Sequence, residues 1–524
     1  MGLAKVLVYK IQTIRRGIIM TDDLKKAYQR LLDLTREISI LNSTMALLDW
    51  DEKTYMPRRG VEHRGNQLAY LAGLRHEKFT APEIGNLLKQ LEGSSQLGDP
   101  DSFETANVRE IKHAYDKLVK VPKSLVEELT RITTIAHGVW AEARQKSDFS
   151  IFLPYLEKVI KLKHQEAEAV GYEKYPYDAL LDDFETGSTT EKVAKVFADF
   201  RQELVDLVKS IRDSKKRPDP SILTREFPVD RQERFGKEAA LAIGYDFEKG
   251  RLDLTVHPFC TGIGPGDVRI TTRYNPKHFG QAFFGILHEG GHGIYEQGLD
   301  PQRWGTPGGD SVSLGIHESQ SRMWENLVGR SKTFWKYFFP KAQAVYPEAL
   351  GQVKFDDFFF AINEVTPSFI RVEADEVTYN LHILVRFEIE QAFFSGDLNA
   401  KDIPGAWNEK FKNYFGIVPP DDAQGCLQDV HWSMGYIGYF PTYSLGNLYA
   451  SQFFNQAKKE IGDLEDQFAR GEYAPLKRWL NEKIHKSGQR YRAEKLVVVV
   501  TGKPLSHRPL MDYLKSKYGQ LYGI

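Results

Sequence analysis

Apolar residues along this chain recur at three- and four-residue spacings, and that helical pattern gives way clearly in one region. Leu24, Tyr28, Leu31, Leu32, Ile38 and Leu41 fall on one helical face. Val193, Val196, Phe197, Phe200, Leu204, Leu207 and Ile211 draw a second stripe. Ser124-x-x-Glu127 and Ser188-x-x-Glu191 read as capping boxes at helix starts. Pro475 suits the first turn of a later helix. The spacing therefore predicts a mainly α chain. The exception lies at 252–274. Leu252, Leu254 and Val256 alternate with polar residues, a loop follows with Gly262, Gly264, Pro265 and Gly266, and 268–274 is rich in β-branched residues. A small β element is expected there. The β-branched run 497–500 lies between helical patterns and stays open between strand and helix.

A length of 524 residues would suit three or four domains at roughly 150 residues each. The turn-rich segments 93–101 and 213–220 are too short for interdomain linkers, and no repeat of fixed period occurs. One domain over 20–524 is expected. Residues 1–19 stand apart as an extension, with Lys5, Lys10, Arg15 and Arg16 and no acid. Thr21-Asp22-Asp23 reads as a helix cap with first-turn acids, which makes Met20 an alternative start. The extension has no uninterrupted apolar core of a secretory leader, and no run of 18 apolar residues exists to span a membrane. A cytoplasmic protein is expected. Basic residues number 70 and acidic ones 71, so no nucleic acid or anionic membrane partner is expected. Two cysteines exclude a disulfide framework and a cysteine-rich zinc module, so any metal must be held by His and carboxylates.

Directly after the β element comes His288-Glu289-Gly290-Gly291-His292. On a helix, His288 and His292 lie one turn apart on one face and can reach one ion. Glu289 projects about 100° round from His288, close enough to act on water at that ion. Gly290 and Gly291 each cost the helix roughly 1 kcal/mol. Small residues there let another backbone or a substrate come close. Zinc needs a third protein ligand and an open position. No histidine follows His292 at the metzincin spacing. Glu296, on the same helix, would put three ligands in one row, which is poor tetrahedral geometry. Glu318 is preferred. It opens an apparent helix through Trp324 and Val328, and its competing role is an exposed ion pair with Arg322 at i+4. One zinc per chain is expected, although cobalt also suits a His/His/Glu set.

Six ordered motifs extend this reading: His257-Pro258-Phe259, Asp267-x-Arg269-x-Thr271, His288-Glu289-x-x-His292, His317-Glu318-Ser319-Gln320, Ile370-Arg371-x-x-Ala374-Asp375, and Gly425-x-x-Gln428-Asp429-x-His431-Trp432. With Leu48-Asp49-Trp50-Asp51 and Tyr55-Met56-Pro57, they make the chain from about residue 24 onward resemble the thermostable-carboxypeptidase (Taq carboxypeptidase) family of HExxH zinc metallocarboxypeptidases. The resemblance implies a helical body with a deep central cleft, similar to angiotensin-converting enzyme and neurolysin. It also implies removal of single residues from peptide C-termini with broad specificity, and a homodimer. His288, His292 and Glu318 match the family's ligands and Glu289 its catalytic glutamate, in agreement with the choice made from spacing.

A peptidase of this kind needs a donor to the oxyanion, and His431, Tyr439 and Tyr443 are the candidates, with aromatic packing as their competing role. An exopeptidase must also hold a terminal carboxylate, which a planar guanidinium does well. Arg371 is the main choice. Asp375 at i+4 either pairs with it or orients it. Arg269 is the second choice, against a plain pairing with Asp267, and His257 is a further candidate donor to substrate. Gln428 and Asp429 would orient ligands or His431. Cys260 and Cys426 read as small packing residues. An oligopeptidase or dipeptidyl carboxypeptidase with the same chemistry, and a scaffold with a structural metal, are the alternatives.

Overall fold

Helix formation starts where the cap signal places it. In a computed structural model that describes residues 20–524, Thr21 is the extended N-cap of α1 (Asp22–Thr54), with Asp22 and Asp23 in its first turn. The expected extension 1–19 lies outside the described residues. Three more helices, α2 (Val61–Phe79), α3 (Pro82–Leu91) and α4 (Phe103–Lys120), follow α1. The α1 stripe packs as its spacing requires: Leu31, Leu32 and Ile38 join Ile84, Leu88 and Leu91 of α3 and Val108 and Ile111 of α4 in one core. These helices, with 299–310 and 486–491, form one compact unit.

The remainder forms a second unit. Its long helices are α5 (Lys123–Lys146), α6 (Phe149–Val170), α7 (Thr190–Asp213) and α8 (Val229–Ile243). After the sheet come α9 (Phe279–Gly298), α10 (Leu314–Arg322), α11 (Lys332–Val345), α12 (Tyr379–Ser395), α13 (Ile403–Phe415) and α14 (Pro441–Ile461). The last are α15 (Ala474–Lys483), α16 (Ala493–Thr501) and α17 (Arg508–Tyr522). The second predicted stripe is the buried face of α7, through Val193, Phe197, Phe200, Leu204, Leu207 and Ile211. Among the described residues, no helix is long and apolar enough to cross a membrane.

Both capping boxes fall differently from expectation. α5 begins after Pro122, whose fixed φ of -59° is already extended, and the Pro122 carbonyl accepts from Leu125 N at 2.9 Å. Ser124 is thereby left inside the first turn. For α7 the cap is Thr189, whose hydroxyl accepts from Lys192 N, one residue later than Ser188. Pro475 does sit in the first turn of α15. Residues 497–500 lie within α16, where Leu496, Val497 and Val500 are buried. Packing of that face overrides the strand propensity of the run.

The sheet has three strands in the order β1 (Gly250–Leu254), β3 (Asp267–Thr272), β2 (Cys260–Gly264). β1 runs parallel to β3 and β2 antiparallel to it. Strand β2 occupies much of what the sequence reads as a Gly/Pro loop. Gly262 is explained by proximity: a Cβ there would lie 2.5 Å from Glu296 Oε2 of α9. The strand bulges between Gly262 and Gly264, and Gly266 at φ +87° turns the chain into β3.

Candidate metal centre and active site

α9 lies so close to its neighbours that two of its central glycines are steric necessities. A Cβ at Gly293 would meet the Tyr245 ring at 2.6 Å, and one at Gly291 would lie 2.7 Å from Gln320 O and Ser321 Cα of α10. The close neighbour expected at Gly291 is therefore the backbone of α10. Gly290 meets only an ordinary contact, Ile243 Cδ1 at 3.5 Å.

That approach brings Glu318 over the two histidines. The donor atoms of His288, His292 and Glu318 all lie within 4.8 Å of one another. Glu318 Oε2 is 3.4 Å from His292 Nε2 and 3.7 Å from His288 Nε2. Its other oxygen accepts from Arg322 Nε at 2.7 Å. The i+4 ion pair and the histidine contacts thus coexist, one on each carboxylate oxygen, with Glu318 buried and Arg322 largely so rather than exposed. Glu296 is excluded from the cluster and takes another task. His317 Nε2 contacts Glu296 Oε1 at 2.8 Å, and His317 Nδ1 contacts His292 Nδ1 at 2.6 Å. If His292 Nδ1–H donates to His317, His317 Nε2–H donates to Glu296, and His292 Nε2 is left as a lone pair facing Glu318.

His288 is oriented from the other side. Directly after α10 the chain widens into a π-helical turn at Met323–Val328, and Glu325 of that turn accepts from His288 Nδ1 at 2.9 Å and from Arg322 at 3.1 Å. With both Nδ1 atoms engaged, both Nε2 atoms converge on one carboxylate oxygen. This is the donor set a divalent metal of the zinc type requires, three protein ligands of N, N and O. The charges within the cluster shift its groups in opposite directions. Burial raises the Glu318 carboxyl, but Arg322, His288 and His292 outweigh it and hold it well below the usual range. Burial likewise opposes protonation of His288, yet Glu318 and Glu325 carry it up to about 9. His292, buried beside His317, is pushed down to about 3. Glu289 is 7 % exposed, and burial pushes its carboxyl up to about 7.

The main substrate-site candidates gather around the N-terminal ends of α12 and α14. Arg371 is buried, in a short 3₁₀ turn (Arg371–Glu373), and its partner is not Asp375. A 3₁₀ turn leaves no helical i+4 pairing, and Asp375 instead accepts from the backbone N–H groups of Thr366, Val377 and Thr378. Arg371 Nε and one terminal nitrogen donate to Asp429 Oδ1 at 3.0 and 2.8 Å, and the other donates to Tyr379 OH at 3.1 Å. Gln428 accepts from Arg371 N at 2.9 Å. Tyr379 links this group to the metal cluster, because the Arg322 guanidinium lies 4.2 Å above its ring. The ring centroids of Tyr379 and Tyr443 are 6.1 Å apart, those of Tyr443 and Tyr439 5.4 Å, and those of Tyr439 and His431 5.2 Å. Burial pushes both phenols, Tyr439 and Tyr443, upward, and both lie in the fields of Glu318 and Arg371. His431 is kept neutral by burial, down to about 3, with Asp429 too distant at 3.9 Å to reverse it.

The remaining candidates are placed apart. Arg269 pairs along its own strand with Asp267, at 2.8 and 2.7 Å. His257 is exposed on the connection between β1 and β2. Both cysteines are free; Cys426 is buried and Cys260 partly so. Glu325, His317, Tyr379 and Arg386 have no assigned role in the sequence reading. Glu325 carries a faint signal, an acid two turns after Glu318, but its use depends on the π turn.

Fold and site together define a metallopeptidase built on HExxH and a following glutamate. The family model described as carboxypeptidase Taq (M32) metallopeptidase matches residues 30–518. Thermostable carboxypeptidase 1 of Thermus thermophilus is 51% identical over 506 residues, which cover 95% of this chain and 99% of that protein. Carboxypeptidase 1 of Bacillus subtilis is 42% identical over 495 residues, 94% of this chain and 98% of that one. The solved M32 carboxypeptidase of Deinococcus radiodurans R1 matches with a TM-score of 0.92 at 38% identity, covering 95% of this chain and 100% of that one. The chain belongs to the M32 carboxypeptidase family and is a metallocarboxypeptidase.

Proposed function

We propose that this protein releases single amino acids from the C-termini of peptides, with broad specificity, using one zinc held by His288, His292 and Glu318. The observation that carries the exopeptidase reading is the link through Tyr379. Arg322, paired with the ligand Glu318, lies over one face of Tyr379, and Arg371 donates to its hydroxyl. A guanidinium able to bind a terminal carboxylate is thus one side chain away from the metal cluster. When bound, the metal supplies Lewis acidity toward the scissile carbonyl. Glu289 takes the proton of the attacking water and hands it to the leaving amine. Tyr439 or His431 donates to the oxyanion, and Tyr443 lines the pocket with Arg371. Arg269 and His257 contact substrate further out. All these residues lie in the second unit. A single metallocarboxypeptidase domain over 20–524 belongs to the same proposal. A cytoplasmic homodimer belongs to the same reading.

An N-blocked tripeptide with a free C-terminus tests it against its amide. Release of one residue from the acid, lost in Arg371→Ala, is expected. Internal cleavage of the amide, or release of a dipeptide, would instead favour an oligopeptidase or a dipeptidyl carboxypeptidase.

A further inference from the structure

Arg371 alone does not explain how the site stays attractive to a carboxylate. Asp429 accepts two of its hydrogen bonds, both on Oδ1. A buried one-to-one ion pair would cancel the charge that a substrate carboxylate must find. The second oxygen of Asp429 is taken by Arg386, whose Nε donates to Oδ2 at 2.6 Å. Arg386 is wholly buried in α12, donates also to His382 O at 2.7 Å, and lies 4.6 Å over the Trp407 ring. It has no exposure through which to meet substrate.

The other titratable groups nearby do not alter the balance. Glu390, one turn along α12, spends its oxygens on Tyr177, Trp432 and Gly438 N. His382 and His431 are held neutral by burial. The cluster therefore contains two guanidinium groups and one carboxylate. We infer that Arg386 is a positioning residue that offsets Asp429, so that the Arg371–Asp429–Arg386 triad keeps one net positive charge for the C-terminal carboxylate of the substrate. This rests on the reading of Arg371 given above. Asp429 can then hold the Arg371 fork in place without neutralising the site.

The test measures binding of an N-benzoyl dipeptide acid and of its C-terminal amide, by calorimetry, to the metal-loaded protein, with every variant and its reference carrying Glu289→Gln so that the acid is not hydrolysed. The acid/amide preference of the reference is expected to fall at least about tenfold in Arg386→Gln, where Arg371 and Asp429 cancel. It is expected to return in the double variant R386Q/D429N, which again carries one net charge. A second lesion would not rescue a merely structural role. An unchanged preference in R386Q, or no recovery in the double variant, overturns the inference. If R386Q does not fold, the double variant, which buries no unpaired carboxylate, decides alone: a kept preference supports the inference and a lost one overturns it. Arg371→Gln separates the two readings. If it leaves the preference intact, the role of Arg371 itself is wrong. If it abolishes the preference while R386Q does not, only the role of Arg386 is wrong.

Discussion

Gly446 of α14 lies against Glu318 of α10 so closely that a Cβ at 446 would stand 2.6 Å from Glu318 Cγ and 2.7 Å from Glu318 Cβ. The proposed third metal ligand is thus positioned by the absence of a side chain on a neighbouring helix. Gly446→Val forces Glu318 aside, since no flexible tip is available to yield. Metal affinity, measured by competition with a chelating dye, is expected to fall by about 10-fold or more. Retention of wild-type affinity would show that the ligand adapts.

Glu289→Gln separates catalysis from metal binding. Glu289 is not among the three clustered donors, so the variant should contain as much metal as the wild type by elemental analysis. Its kcat is expected to fall by about 10²-fold or more. Removal of metal by a chelator should abolish activity in the wild type, and its return on adding zinc or cobalt would tie the activity to the metal; activity retained without metal would count against the proposed site.

Glu325 sets the orientation of His288 through Nδ1. Glu325→Ala frees that ring and leaves Arg322 with a single carboxylate. Metal affinity is expected to drop by about 10- to 100-fold. His317→Ala should act in the same direction on His292, through the contact at 2.6 Å. A shift in the visible spectrum of the cobalt-loaded protein would report the changed ligand field, and an unchanged spectrum would count against both roles.

Glu390 predicts a pH dependence of stability. Its carboxyl is pushed up to about 7 by burial, against the opposing hydrogen bonds from Tyr177, Trp432 and Gly438. A carboxyl that binds its proton more tightly in the folded state stabilises the fold fully below its unfolded value near 4.5, and that contribution disappears as pH rises through about 7. Its share of the loss is on the order of 3 kcal/mol. Glu390→Gln removes this share, so urea unfolding between pH 4.5 and 7 should show a flatter profile than the wild type. An identical slope would assign the dependence to other groups, of which Glu185, also raised to about 7, is the first to test.

Much of the site is legible in the residues because its chemistry is local. One helical turn fixes the distance between His288 and His292 and puts Glu289 beside them. Glu318 follows from the need for a third ligand outside that row. The choice of Arg371 follows from its place in a motif of the family together with the chemistry of a terminal carboxylate, whereas its partner does not follow. Asp375 is near in sequence and would pair in a helix, but the chain there makes a 3₁₀ turn, and Asp429 arrives from 58 residues away. The strand β2 is obscured for a similar reason, because Gly262 within it answers to Glu296 on α9.

The sequence by itself determined the mainly helical class, the small β element and the family, and it singled out the candidate ligands His288, His292 and Glu318, because all of these depend on spacing along the chain or on ordered short motifs. Only the tertiary structure decided which charges share which oxygens. It divided Glu318 between two histidines and Arg322, turned the rejected ligand Glu296 into the support of His317, and set Asp429 between Arg371 and Arg386. The physical reason is that a buried charge must be matched by partners wherever packing brings them, and packing joins helices whose separation along the chain carries no periodic signal.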